Sequence, residues 1–189
     1  MMTLRYGNTN TYYIEGLLVD TDMAGTLGGF YGELGRNGLR LSDVKFVLAT
    51  HYHPDHAGLV GELQRLGVKL LLIDSQREHA HFQDGIFARQ KNVKFYPVDE
   101  GSAVVLSCGE SREFLKSIGV KGEIVPTHSH SPDGVALVLD SGECFAGDLE
   151  PRQYIEFYGG DSELARDWAR ITALSPKTVY FGHINAQKT

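Results

Sequence analysis

The chain has 189 residues, of which 42% are hydrophobic and 22% charged, a composition typical of a globular protein and unlike that of a disordered one. This length suits one domain, and we expect a single domain over residues 1–189. A formal net charge of -6 and a pI of about 5.7 argue against a nucleic-acid partner.

The N-terminal residues and the cysteine count predict a cytoplasmic protein. Residues 1–13 lack the apolar core of a secretory signal, and no apolar run is long enough to span a bilayer, so we expect no membrane partner. The two cysteines, Cys108 and Cys144, are too few for a disulfide scaffold, and we expect two reduced, half-buried thiols. A small-molecule substrate is the expected partner. A homodimer contact through the aromatic residues at 154–158 is one option.

In the first half of the chain, apolar periodicity and turn residues predict strands with helices between them. Strands are predicted at 11–15, 17–20, 43–49 and 68–73. Helices are predicted at 27–34, from His56 to a stop at Gly67, and as a short polar helix from Ser75.

The second half is also rich in predicted strands. They are placed at 93–96, 103–106, 122–126, 134–139, 143–146 and 178–181, with helices at 111–118 and 161–174. Strands in both halves with interspersed helices favour two packed sheets with helices on their outer faces, an α+β protein, over a strict β-α-β alternation.

Histidine and aspartate residues follow four of the predicted strands. They are His51, His53, Asp55 and His56 after 43–49, His128 and His130 after 122–126, Asp148 after 143–146, and His183 after 178–181. Loops at strand ends commonly carry functional side chains. Because imidazoles and carboxylates are costly to bury without partners, such repeated placement indicates a bound cation.

A donor set of imidazoles and carboxylates without thiolates suits zinc, and it also suits iron, manganese or nickel. In an extended segment, His51 and His53 project to the same side. Asp55 and His56, at the start of the next helix, can face a neighbouring point. Two metal ions about 3.5–4 Å apart could therefore share this loop.

The stretch T-H-Y-H-P-D-H resembles the H-x-H-x-D-H motif of the metallo-β-lactamase-fold hydrolases. Asp20 in L-L-V-D-T-D sits where that family has an early strand-ending aspartate. His130 in S-H-S-P-D-G, Asp148 in F-A-G-D and His183 in Y-F-G-H resemble three later motif positions. The match runs in order from about residue 8 to residue 184.

The resemblance implies a four-layer αββα sandwich of two mixed sheets with outer helices. It also implies a ligand set: His51, His53 and His130 for a first metal, Asp55, His56 and His183 for a second, and Asp148 as the bridge. Asp20 would support the metal loop without binding metal. Two divalent ions are expected, zinc first, with iron or manganese as alternatives.

The implied activity is hydrolysis of a small-molecule ester, lactone, amide, thioester or phosphoester by a metal-bound hydroxide, since zinc lowers the pKa of bound water to about 7. Asp55 would also be catalytic, because it can accept a hydrogen bond from the hydroxide and orient it. Two alternatives stay open: a mononuclear iron dioxygenase of the same fold, and a metal- or ligand-binding protein without catalysis.

The chain departs from the family pattern at two places. Asp22 stands where the family usually has glycine, and T-H-S-H replaces the usual T-P-G-H, which adds His128. His128 could replace His130 as a ligand, help to bind substrate, or be exposed; His130 ranks first because S-P-D-G follows it. Tyr154 and Tyr158 are candidates for the substrate pocket, with a core or lid role as the alternative.

Four further residues are assigned no chemistry. Tyr52 and Trp168 are expected to pack in the interior. His79 and His81 are expected to be exposed on a polar helix.

Overall fold

The computed structural model describes residues 1–189, and the chain divides into two compact units, Met1–Leu106 and Ser107–Thr189. Each unit contains one mixed β-sheet and its own helices. The expected α+β class with two mixed sheets is therefore confirmed, while the single domain stays a prediction. None of the helices has the length and apolar character needed to cross a bilayer.

The first unit has a six-stranded sheet in which spatial order follows chain order. Its strands are β1 (Met2–Leu4), β2 (Thr11–Ile14), β3 (Leu17–Val19), β4 (Phe46–Leu48), β5 (Lys69–Ile73) and β6 (Val104–Leu106). β1 to β3 form an antiparallel meander, whereas β3 to β6 are parallel. Because parallel neighbours end at the same edge, the residues after β3 and β4, Asp20 and Thr50, meet there.

The helices of the first unit are short. They are α1 (Leu27–Arg36), α2 (Pro54–Ala57), α3 (Val60–Arg65) and α4 (Asp84–Phe87), with 3₁₀ turns at Leu41–Asp43, Asp74–His79 and Glu100–Ser102. α1 buries Phe30 and Leu34, and α3 buries Val60 and Leu63, in one apolar cluster with sheet residues such as Val47. This core supports the sheet edge from which the histidine motif extends.

The prediction of one continuous helix from His56 to Gly67 is wrong in two respects, the first residue and the continuity of the helix. α2 begins at Pro54, which fits the first helical position because a backbone N–H is not needed there. The helix is interrupted at Gly58, where a Cβ would lie 2.3 Å from the Ala24 nitrogen. Gly58 thus leaves room for the Ala24 backbone at the break between α2 and α3. The predicted stop at Gly67 is confirmed by its φ of 96°.

The strand predicted at 93–96 is also wrong, since this segment pairs with no other strand. Its aromatic side chains pack on helices instead. The Phe95 ring stacks on Phe87 of α4 at 4.7 Å, and the Arg65 guanidinium of α3 lies 4.5 Å from the centre of the Tyr96 ring. β1 and α4 were not predicted, because each is only three or four residues long.

The approach of residues 96–97 to α3 makes Gly61 sensitive to substitution. A Cβ on Gly61 would lie 2.0 Å from the Tyr96 carbonyl oxygen and 2.5 Å from that of Pro97. Gly61→Ala is therefore expected to lower the free energy of unfolding by about 2–3 kcal/mol.

The matched control is Gly32→Ala in the middle of α1, where a Cβ would meet only the Arg36 side chain at 4.0 Å. Because alanine has the higher helix propensity, this variant is expected to gain up to about 1 kcal/mol. Urea unfolding of both variants provides the measurement, and equal effects at the two positions would contradict the close approach.

The second unit has a five-stranded sheet in the order β11-β10-β9-β8-β7. Its elements are α5 (Cys108–Ser117), β7 (Gly122–Pro126), β8 (Val135–Leu139), β9 (Glu143–Phe145), a 3₁₀ turn at Arg152–Tyr154, α6 (Ile155–Tyr158), α7 (Glu163–Ala173), β10 (Thr178–Tyr180) and β11 (Gln187–Lys188). Only β9 and β10 pair in parallel. α7 buries Leu164, Trp168 and Ile171 in an apolar cluster with Val138 and Val179.

Side-chain caps explain where the two long helices of this unit begin. The Ser107 backbone N–H and hydroxyl both donate to the Glu110 carboxylate, at 2.8 and 2.7 Å, which starts α5 three residues before the predicted position. These hydrogen bonds, the backbone one first, hold the pKa of Glu110 below its usual range. The Ser162 hydroxyl accepts from the Ala165 N–H at 3.2 Å and starts α7.

Candidate metal centre

In the first unit, the carboxylate of Asp20 organises the end of β4. It accepts hydrogen bonds from the Thr50 N–H at 2.6 Å, the Thr50 hydroxyl at 2.9 Å and Nδ1 of His56 at 2.9 Å. Both side chains of the Asp20–His56 pair are almost fully buried, at 2% and 0% exposure. Asp20 holds a left-handed backbone conformation with a φ of 60°. Such a costly conformation persists only where surrounding contacts fix it.

These hydrogen bonds determine which nitrogen of two histidines has the lone pair. An ionised carboxylate only accepts, so His56 donates from Nδ1, and in the neutral ring Nε2 has the lone pair. The Thr50 hydroxyl gives its single proton to Asp20, so it accepts from Nδ1 of His51 at 3.2 Å. Nε2 of His51 therefore also has a lone pair, and both rings are in the form that a metal requires.

Nε2 of His51 and Nδ1 of His53 lie only 3.0 Å apart, with their rings edge to face. Two nitrogens bound to one tetrahedral zinc ion, at 2.0–2.1 Å each, are about 3.3 Å apart. The spacing of this pair fits a shared ion. The predicted alternation of His51 and His53 on one side of an extended segment is consistent with this arrangement.

Asp55 and His56 are placed by the first turn of α2. His53 is the residue before this helix, with extended backbone, and its carbonyl accepts from the His56 N–H at 3.0 Å. Asp55 is partly buried, whereas His56 is fully buried. Pro54 and the short turn thus place the His56 ring beside the His51 ring, with 4.2 Å between the ring centres.

Gln76 also supports this loop, and the sequence did not single it out. Its side-chain amide donates to the Ala49 carbonyl at 3.0 Å and to the Thr50 carbonyl at 3.4 Å, and its oxygen accepts from the Ile73 N–H at 3.3 Å. Gln76 is fully buried in a turn that reads as polar. A glutamine three residues after a strand is no distinctive signal, so sequence patterns could not identify it.

In the second unit, the parallel pairing of β9 and β10 brings Asp148 and His183 together. The Gly182 N–H donates to the Gly147 carbonyl at 2.8 Å, which continues the pairing beyond the strands. Oδ2 of Asp148 then lies 3.4 Å from Nε2 of His183 and 3.8 Å from Nε2 of His130. One carboxylate oxygen therefore faces two imidazoles.

A cavity of about 210 Å³ adjoins these three residues. Its lining comprises His130, Asp148 and His183 together with Gly147, Leu149, Glu150, Pro151, Phe181 and Ile184. The wall beside the polar residues is thus mostly apolar. This composition suits the uncharged part of a small molecule.

The three residues proposed for the substrate pocket are exposed and do not line this cavity. His128 is exposed in the turn before His130, and Tyr154 and Tyr158 are 41% and 59% exposed. The Tyr158 hydroxyl donates to the Glu150 carboxylate at 3.2 Å, and this bond raises the pKa of Tyr158. A substrate role for His128, Tyr154 and Tyr158 stays a prediction.

The residues assigned to packing are found in the interior. Tyr52 and Trp168 are 1% and 3% exposed, and the Trp168 indole N–H donates to the Glu150 carbonyl at 2.9 Å. Cys144 is fully buried, and burial raises the pKa of its thiol, so it is not a reactive group. His81 is about half exposed and pairs with Asp84 at 2.8 Å.

Asp22, the first departure from the family pattern, anchors the loop between β1 and β2. Its carboxylate accepts from the Thr9 N–H at 2.9 Å and from the Met23 N–H at 2.7 Å. A Cβ on Gly7 would lie 2.1 Å from this carboxylate, so Gly7 leaves the space that Asp22 occupies. Asp22 is 2% exposed and has a structural role.

Comparison with known proteins identifies one family along most of the chain. The model of the metallo-beta-lactamase superfamily matches residues 4–183. The metallo-beta-lactamase family protein TTHA1429 from Thermus thermophilus is similar with a TM-score of 0.70 and 23% identity, over 95% of this chain and 70% of that one. TTHA1623, solved in a di-iron-bound form, has a TM-score of 0.72 and 23% identity, over 99% of this chain and 93% of that one. The expected metallo-β-lactamase fold is confirmed.

One curated relative is a longer protein than this chain. The beta-lactamase-like protein 2 homolog of Drosophila melanogaster is 24% identical over 144 residues, which are 76% of this chain and 46% of that protein. The chain thus matches less than half of the length of this relative.

Proposed function

This chain belongs to the metallo-beta-lactamase superfamily, and from that premise we propose that it is a dinuclear metal hydrolase of a small molecule. The observation that carries the proposal is the hydrogen-bond relay from Asp20. Through its bonds to Thr50 and His56, it leaves Nε2 of His51 and His56 with lone pairs. Buried polar groups arranged in this way match the supports of metal-binding histidines.

The proposed ligands follow the family's order. His51, His53 and His130 would hold the first ion, Asp55, His56 and His183 the second, and Asp148 would bridge them. The 3.0 Å between the His51 and His53 nitrogens supports the first group. The position of Oδ2 of Asp148 near both His130 and His183 supports the bridge.

The bound ions would supply an activated water at neutral pH and polarise the bond that is cleaved. Asp55 and Asp148 contribute two negative charges, which would only partly neutralise two divalent ions. The centre would therefore keep positive charge and attract an electron-rich substrate oxygen. Asp55 would accept a hydrogen bond from the attacking water and orient it. Leu149, Pro151 and Phe181 would exclude bulk water from the uncharged part of an ester, lactone, amide, thioester or phosphoester.

Zinc is the first expected metal, with iron or manganese as alternatives for this donor set. The similar structure TTHA1623 was determined in a di-iron-bound form, which favours iron as the first alternative metal. A mononuclear iron oxygenase of the same fold stays the alternative function. A complete set of second-site ligands, Asp55, His56 and His183, supports the dinuclear hydrolase over a mononuclear oxygenase.

Metal content per chain distinguishes these functions. Purified protein is expected to contain two equivalents of divalent metal by plasma mass spectrometry and to hydrolyse members of an ester, lactone and phosphodiester panel. Removal of the metal by a chelator is expected to abolish hydrolysis, and added zinc to restore it. A single iron with oxygen uptake would support the oxygenase. No metal after reconstitution with zinc would contradict catalysis by this site.

The partner and location remain part of the proposal. We propose a small-molecule substrate, no nucleic-acid or membrane partner, and a cytoplasmic location, which agrees with two cysteines, Cys108 and Cys144, that are not joined in a disulfide. A homodimer contact through Tyr154, Phe157 and Tyr158 also stays a proposal. Phe157 is 80% exposed.

A further inference from the structure

Asp167 of α7 is a buried carboxylate for which the sequence suggested no role. Its side chain is 0% exposed, although it lies on a helix whose other polar residues face solvent. Oδ1 accepts from the His128 N–H at 3.0 Å, and Oδ2 accepts from the Ser129 N–H at 2.8 Å. Both oxygens of one carboxylate are thus bound to two consecutive backbone amides, directly before His130.

The charge of Asp167 is balanced within the same helix. Nη1 of Arg170 lies 2.7 Å from Oδ1, and the Arg170 side chain is 36% exposed. A buried carboxylate is stable only when it is paired and hydrogen-bonded. The two amides and Arg170 meet that condition, and they make the position specific for an ionised aspartate.

The same turn is closed at its far end by backbone hydrogen bonds. The Thr127 N–H donates to the Gly134 carbonyl at 2.8 Å, and the Gly134 N–H donates to the Ser131 carbonyl at 2.9 Å. A Cβ on Gly134 would lie 1.9 Å from the Thr127 carbonyl oxygen, so the two ends of this loop are in close contact. His130 lies between this closure and the amides bound by Asp167.

We propose that Asp167 is a positioning residue that fixes the turn at 128–130 and thereby holds His130 in place to bind metal. The inference rests on the proposed function of His130 as a metal ligand. Asp167 is too well occupied by amides and by Arg170 to bind metal itself, and it acts only through the backbone.

This proposal also explains the second departure from the family pattern. A proline at position 128, as in the usual T-P-G-H, has no N–H and could not donate to Asp167. His128 supplies that donor, while its imidazole is exposed. The useful feature of residue 128 is therefore its backbone N–H, and many other residues except proline could provide it.

Three variants of the full chain test the proposal. Asp167→Asn keeps the volume of the side chain, but its amide nitrogen would face a backbone N–H donor. His128→Pro removes one donor and leaves Asp167 intact, and His128→Ala is the matched control because it changes the side chain and keeps the N–H. Circular dichroism and thermal unfolding establish that each variant folds.

The first measurement is backbone hydrogen exchange in the metal-free protein, which does not depend on the proposed function. The amide of Ser129 is expected to be protected in the unaltered chain and in His128→Ala, and to lose at least tenfold protection in Asp167→Asn. Equal exchange in Asp167→Asn and the unaltered chain would overturn the proposal. If Asp167→Asn fails to fold, increased exchange at Ser129 in His128→Pro replaces this test.

The second measurement is the affinity for Zn²⁺ by chelator competition, with the visible spectrum of the Co²⁺ form. Asp167→Asn is expected to weaken the binding of one of the two ions roughly 10- to 100-fold and to alter the Co²⁺ bands. Unchanged affinity and spectrum in Asp167→Asn would overturn the positioning role. Failure of the unaltered chain to bind any metal would instead contradict the proposed function. The hydrogen-exchange measurement is independent of that outcome, because it uses the metal-free protein.

Discussion

Replacing Asp148 by asparagine is expected to remove one metal ion from the protein and to lower its hydrolytic rate more than roughly 100-fold, which is the upper range for residues that only support metal ligands. Oδ2 of Asp148 faces His130 and His183 at 3.8 and 3.4 Å. Asparagine keeps the shape of the side chain and removes its negative charge. Two divalent ions would then be held with Asp55 as the only negatively charged ligand, and their mutual repulsion would be less well offset.

The measurement combines metal content by plasma mass spectrometry with steady-state kinetics on an active substrate. Asp140→Asn is the matched control in the same unit, because Asp140 is exposed and pairs with Arg112 at 2.9 Å. It is expected to bind two ions and to keep the rate. Two equivalents of metal and an unchanged rate in Asp148→Asn would exclude a bridging role for this carboxylate.

The sequence was sufficient to single out the candidate metal loop because its potential donors are close together in the chain. Four of them lie within residues 51–56, directly after a strand that apolar residues mark clearly. Turn residues were also informative, since Gly67, the predicted stop of a helix, adopts a positive φ. Local patterns thus determine most of the strands that lead to the site.

The residues that hold the donors in place could not be predicted, because their partners are distant in the chain. Gln76 contacts Ala49 across 27 residues, and Asp167 contacts His128 across 39. In the sequence of a helix or turn, a buried polar residue of this kind has the same neighbours as a solvent-exposed one, so the two cannot be told apart. The strand prediction at 93–96 was wrong for another reason. The alternating side chains of this segment pack on α3 and α4, and its backbone pairs with no strand.

Substitution of Asp20 is expected to separate stability from metal binding. Asp20→Ala leaves the buried N–H and hydroxyl of Thr50 and Nδ1 of His56 without their acceptor, and each such group costs about 1–3 kcal/mol. Alanine also tolerates a φ of 60° poorly. We expect Asp20→Ala to lose about 3–5 kcal/mol of unfolding free energy, measured by urea unfolding of the metal-free protein.

Asp20→Asn is the informative comparison, because asparagine adopts left-handed backbone conformations more readily and keeps an acceptor for the Thr50 N–H. Its amide group would donate to Nδ1 of His56, which forces the proton of that ring onto Nε2. The atom proposed to bind metal would then have no lone pair, since Nε2 of a neutral ring cannot both hold a proton and coordinate an ion. We therefore expect a smaller loss of stability than in Asp20→Ala, with a loss of Zn²⁺ affinity of roughly 10- to 100-fold. Chelator competition measures this affinity, and a Zn²⁺ affinity equal to that of the unaltered chain would show that Asp20 supports the fold and not the metal-binding form of His56.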